Sequence, residues 1–159
     1  MRRIGIVAVL SVMLVAIAAS VALAAGAPKF HSATSSVNSA GALVVNFDER
    51  GLGNGNIDYT LTADATATYA CINGGGKHPK AANKEMVNDD VSGGGSFESK
   101  NGRVVASLRA GPISAADFSC PSGQRLVLAS VSYTNIVLTD TTNNVSTSVA
   151  NASRTFFAV

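Results

Sequence analysis

The sequence predicts an all-β chain folded as a single-domain β-sandwich, immunoglobulin-like or of a similar antiparallel Greek-key kind, with a small β-barrel as the alternative. Three observations predict it. Residues 57–71 alternate strictly between apolar and polar side chains. Turn-forming clusters recur at short intervals. No window carries apolar residues at helical spacing between helix caps.

Taken in order, the chain opens with Arg2 and Arg3, followed by an uncharged run that ends in Ala22-Leu23-Ala24. A basic start, an apolar middle and a small-x-small triplet read as a signal peptide over residues 1–24. An uncleaved anchor is the other reading, since about 20 apolar residues can cross a bilayer. The many alanines and the triplet favour cleavage, and with it a secreted, extracellular product and no stable membrane insertion. Residues 25–40, rich in Ser and Thr and containing His31, read as a flexible N-terminal segment, and residues 41–159 as the disulfide-closed sandwich.

Leu43, Val45 and Phe47 share one face of a first strand, which is expected to end at Asp48-Glu49-Arg50-Gly51. The run Gly51-Leu52-Gly53-Asn54-Gly55-Asn56 tolerates positive φ and reads as a turn. The strongest strand follows. Ile57, Tyr59, Leu61, Ala63, Ala65, Ala67, Tyr69 and Cys71 form the buried row, and Asp58, Thr60, Thr62, Asp64, Thr66 and Thr68 the wet one. Its alanine-rich middle reads as a bend. Asn101-Gly102, between two strand-like runs, predicts a hairpin with a type I′ turn. Pro121-Ser122-Gly123-Gln124 is a further turn. Val127, Ala129, Val131 and Tyr133 then alternate, but Ile136 and Leu138 sit out of phase with them, as a β-bulge requires. Thr141-Thr142-Asn143-Asn144 turns the chain into a last arm that begins at 145–149 and continues toward Phe157. That makes about seven or eight strands. Residues 72–94 fit no strand and read as a long loop, of the kind that tends to be functional or mobile.

Cys71 and Cys120 are the two cysteines. Even parity in an oxidising compartment favours one disulfide, against free thiols or an intermolecular bridge. Closing a loop of about 50 residues stabilises by ~4 kcal/mol on the chain-entropy model.

The whole chain carries 12 Lys/Arg against 10 Asp/Glu. Without Arg2 and Arg3 the balance is zero and the charges are scattered. A neutral surface drives no counterion release, so nucleic acid and anionic membranes are not expected partners.

No catalytic, metal or cofactor constellation stands out, and none is expected. Gly74-Gly75-Gly76-Lys77 fails as a phosphate loop, because Cys71 stands where the first Gly belongs and His78 where Ser or Thr belongs. Gly51, Gly53 and Gly55 miss the dinucleotide spacing. His31 and His78 are the histidines. A triad built on His78 with Asp89, Asp90 or Asp117 has no serine selected by spacing. Asp48, Glu49, Asp89 and Asp90 are the candidates for a hydrolytic carboxylate pair. Sugar platforms usually need exposed aromatic rings, yet there is no Trp and Tyr59, Tyr69 and Tyr133 all fall on buried phases. Asn144 and Asn151 begin glycosylation sequons.

Several segments resemble a group of small secreted proteins of bacteria and filamentous fungi. These are Gly51-Leu52-Gly53-Asn54, Tyr69-Ala70-Cys71-Ile72-Asn73, Asn83-Lys84, Phe118-Ser119-Cys120-Pro121 and Val131-Ser132-Tyr133-Thr134-Asn135. The resemblance implies secretion and a single disulfide, and no particular activity. Tyr69-Ala70-Cys71 also resembles an immunoglobulin-type strand, without its partner cysteine or core tryptophan.

The functional expectation is a non-enzymatic module that binds an extracellular protein or glycan through its surface loops. Lys77, His78, Lys80, Asn83 and Lys84 form the candidate binding loop. The alternatives are a secreted hydrolase using loop carboxylates or His78, and a cell-wall or polysaccharide binder.

Overall fold

A computed structural model describes residues 26–73 and 83–159. The expected signal peptide, residues 1–24, and Lys77, His78 and Lys80 of the expected binding loop lie outside the described residues.

The described chain forms eight strands: β1 (Lys29–Val37), β2 (Leu43–Arg50), β3 (Gly55–Asn73), β4 (Lys84–Ser99), β5 (Arg103–Ala110), β6 (Gln124–Asp140), β7 (Val145–Ser148) and β8 (Ala152–Thr155). A small antiparallel sheet has the order β1-β2-β5. A larger one has the order β4-β3-β6, and β7 and β8 pair in turn with the outer edge of β6. The two sheets pack face to face as a β-sandwich.

The rhythm of β3 organises the core. Ile57, Tyr59, Leu61, Ala63, Ala65 and Ala67 are all buried, and they meet Leu43, Val45 and Phe47 of β2 and Val131, Tyr133, Ile136 and Leu138 of β6. The expected bulge in β6 is present. Register with β3 shifts between Thr62 and Asp64, and Asn135, the extra residue, has φ 50°. Its side-chain amide donates to Asp64 Oδ2 at 2.6 Å. The bulge lets Tyr133 and Ile136 both face inward although they are three positions apart. The hydroxyls of the buried tyrosines are placed as well. Tyr133 donates to the Gly41 carbonyl at 2.7 Å and Tyr59 to Glu49 Oε2 at 2.7 Å. Tyr69, expected on a buried phase, is half-buried and donates to the Ile113 carbonyl at 2.5 Å.

Cys71 and Cys120 are bonded, joining the end of β3 to the β5–β6 connection. The turn at 121–124 closes with Gln124 N–H donating to the Pro121 carbonyl at 3.1 Å. Gly123 holds φ 83°, as a type II turn requires.

Four expectations are corrected. Residues 25–40 are not a wholly flexible segment, because Lys29–Val37 form β1, paired with β2 along its length. Ser and Thr suit an edge strand that is only half covered, so the polar composition concealed it. Residues 72–94 are not one loop, because β3 runs to Asn73 and β4 begins at Lys84. The glycines that read as the loop's end lie inside β4. A Cβ on Gly93 would stand 1.8 Å from the Arg109 carbonyl oxygen, so this glycine is what lets β5 come against β4. The Asn101-Gly102 turn forms, with φ of 53° and 72°, and Lys100 and Arg103 exchange backbone hydrogen bonds. Its arms, however, part at once into different sheets, so it joins the two layers instead of closing a hairpin ladder. Finally, β2 ends at Arg50, within the expected stretch, but its two acids are not loop carboxylates. Asp48 and Glu49 are in the strand, and both are buried.

Candidate functional site

The outer face of the larger sheet carries the even positions of β3. Thr60, Thr62, Asp64, Thr66 and Thr68 line one row, beside Ser130 and Ser132 of β6. At one end this hydroxyl-rich face changes character. Ala70 of β3 and Ala129 of β6 are fully buried there, under Phe157 and Val159 of the C-terminal tail. The Ala129 carbonyl accepts the N–H groups of Phe156 (2.7 Å) and Phe157 (3.1 Å), which holds the tail against the sheet. Two alanines, one on each strand, make the room.

Between this tail and β4 lies a groove of about 520 Å³. Thr68, Ser130 and Thr155 form its hydroxyl floor, Lys84, Glu85 and Met86 one wall, and Phe157–Val159 the other. Met86 is 64 % exposed and stands across the groove from the apolar tail. A smaller hollow continues along Thr66, Ser132 and Ser153 to Arg154, whose guanidinium stacks over Phe156 at 4.9 Å and donates to the Val37 carbonyl.

Of the expected loop residues, Asn83 and Lys84 are described. Asn83 is exposed just before β4, and its carbonyl accepts Cys71 N–H at 3.1 Å. Lys84 is the first residue of β4 and lines the groove. Sequence reasoning missed Met86, Thr68, Ser130, Thr155 and the tail. The available signal was Ala70, which breaks the polar row of β3.

The carboxylates are placed differently from the expectation of a loop pair. Asp48 and Glu49 are consecutive residues of one strand and point to opposite faces. Asp48 lies on the outer face of the small sheet, where Arg50 and Arg103 are direct cross-strand neighbours. Both its oxygens are engaged, by Arg103 Nε (2.8 Å) and Nη2 (3.0 Å) and by Arg50 Nη2 (2.9 Å). Hydrogen bonds from Arg103 first, then Arg50, hold its carboxyl well below the usual carboxylate range. The anion thus offsets two facing cations.

Glu49 points the other way, into the sandwich. It is fully buried; Oε2 accepts the Tyr59 hydroxyl, and Oε1 has no partner among the described residues. Burial foremost, and then the charge of Asp140, push its carboxyl up, against the Tyr59 hydrogen bond. Asp140 is also fully buried, but it is satisfied by Asn143, whose N–H and Nδ2 donate at 2.9 and 2.6 Å to its two oxygens. Desolvation and the bond to Glu49 likewise push the Tyr59 phenol up. This cluster secures one end of the core and opens onto no groove described above.

Asp89 and Asp90 are exposed on β4, not on a loop, and His31 is exposed on β1. Asp117 is exposed in the β5–β6 connection. Asn144 and Asn151 are both exposed, Asn144 in the β6–β7 turn. Phe156 and Phe157 are half-buried against the sheet. Among the described residues no three His, Cys, Asp or Glu side chains converge as metal ligands. In comparisons with known proteins, no family model, curated protein or solved structure matches the chain.

Proposed function

We propose that this chain is a secreted binding module that holds an extracellular protein or glycan by surface contact, without catalysis, at the Lys84 end of its larger sheet. The observation that carries the reading is the groove there: an apolar wall of exposed Met86 and the C-terminal tail, over a floor of hydroxyls. A few placed polar groups against apolar surface is the ordinary composition of a recognition site. The neutral balance of charge after residue 24 fits a partner held by shape and hydrogen bonds, not by steering. Secretion is supported by the basic-apolar-small pattern of residues 1–24, by the Cys71–Cys120 bond and by the resemblance to small secreted proteins. In the sequence, Lys77, His78 and Lys80 of the expected loop precede Lys84 by four to seven residues.

The test begins with a pull-down from the producer's surroundings using purified protein, with insoluble polysaccharide run in parallel. Affinity for whatever is identified is then compared with Met86→Arg and Lys84→Ala. Both positions are exposed, so folding should be unaffected. Binding weakened at least tenfold supports the reading, and unchanged affinity in both variants refutes it.

A further inference from the structure

β4 stands at the edge of the larger sheet and pairs with β3 alone. The direction of its backbone groups follows from the ladder. Cys71 N–H donates to the Asn83 carbonyl, and β3 and β4 continue from there in unbroken register, from Ala70↔Lys84 to Gly55↔Ser99. In an antiparallel pair, residues facing the partner with N–H and C=O alternate with residues facing away. Asn83 therefore puts Glu85, Val87 and Asp89 in the ladder, and the backbone groups of Lys84, Met86 and Asn88 point outward.

A second observation agrees with this phase. The N–H of Asp90, the next outward position, is taken by Asp89 Oδ1 at 2.9 Å. That local bond closes the edge from one side, and further along Gly93 brings β4 against β5. What stays open, among the described residues, is the stretch 84–88. Its outward-phase residues Lys84, Met86 and Asn88 also carry their side chains on the face with Thr66 and Thr68, where Met86 forms the wall of the groove.

An open row of alternating donors and acceptors at strand spacing matches one chemistry, the backbone of an extended peptide. We propose that residues 84–88 accept a short extended segment of a partner protein as an added strand, with an apolar side chain opposite Met86. This inference rests on the groove as a binding site and narrows its partner from protein or glycan to peptide. Lys84 lies on the same face two positions away, so an acidic residue two positions from the apolar one completes the match.

The experiment selects a random octapeptide display library on the purified protein and follows amide hydrogen exchange with and without a selected peptide. In the free protein the amides of Lys84, Met86 and Asn88 exchange quickly, and those of Glu85 and Val87 slowly. Peptides sharing an apolar residue with an acid two positions away are expected to slow the three outward amides at least tenfold. Asn88→Pro deletes one outward N–H without touching the β3 ladder, and Asn88→Ala keeps it while losing the 2.7 Å bond from Thr66. Affinity at least tenfold weaker in the proline variant than in the alanine variant supports strand addition. Where the proline variant misfolds, the exchange pattern decides alone. Slow outward amides in the free protein overturn the inference, as does a library that yields no binder. A ligand, peptide or polysaccharide, that perturbs Thr68 and Met86 without protecting those amides overturns strand addition and leaves groove binding standing. A ligand that touches neither edge nor groove overturns both.

Discussion

Replacing Glu49 by Gln should stabilise the protein at neutral pH and leave it unchanged in acid. Glu49 is fully buried, one oxygen accepts from Tyr59, and the other has no partner among the described residues. Its carboxyl is raised above its ordinary value of 4.5 by burial and by Asp140. The direction of the pH dependence follows from which state holds the proton. Below the ordinary value both folded and unfolded chains are protonated, and Glu49 contributes its full stability. Above it the unfolded chain releases the proton while the folded chain retains it, so stability falls until pH passes the raised folded value. Within that window the slope is at most about 1.4 kcal/mol per pH unit. Glutamine keeps the shape and the acceptor for Tyr59 and has no proton to release. The neutral amide carries no such pH-dependent loss, so the variant should gain on the order of 1 kcal/mol at pH 7 and converge with the parent protein in acid. Urea unfolding at several pH values between 4 and 8 reads the difference, which cancels the contribution of every other titrating group. Parallel stability curves for the two proteins, with no convergence toward pH 4, would refute the reasoning.

Asp48 should act with the opposite sign. Its carboxyl is held below its ordinary value of 3.8, so its contribution is present above that value and lost as pH falls beneath it. Asp48→Asn should therefore flatten the acid limb of the stability curve, and an unaltered acid midpoint counts against the arginine bridge. Gly93→Ala should cost at least ~2 kcal/mol, because the added Cβ meets backbone that no rotamer change relieves. Gly53→Ala, with open space around it, should stay within about 0.5 kcal/mol, and equal thermal shifts in the two variants would argue against the close β4–β5 approach.

Much of the sandwich is written locally. The alternation in β3, the type I′ turn at Asn101-Gly102, the bulge at Asn135 and the turn ending at Gln124 each depend on neighbouring residues and on conformations that Asn and Gly accept. These features are readable because period and turn chemistry act over a few positions. The candidate site was less legible. Lys84 was anticipated as part of a loop, but Met86 and the Phe157–Val159 tail begin two and 73 residues after it, and no pattern along the chain joins them.

By itself, then, the amino-acid order determined an all-β chain, the inward row of its longest strand, its principal turns and its pair of sulfurs. Only the tertiary structure decided which sheet each arm of the 101–102 turn would join, that Ser- and Thr-rich residues 29–37 would serve as an edge, and that one of two adjacent acids would face solvent-side arginines while the other entered the core. The physical reason is the range of the forces involved. Turn preference and side-chain alternation are properties of a few consecutive residues. Pairing partners, desolvation and the close approach at Gly93 are set by groups that meet only when distant parts of the chain pack together.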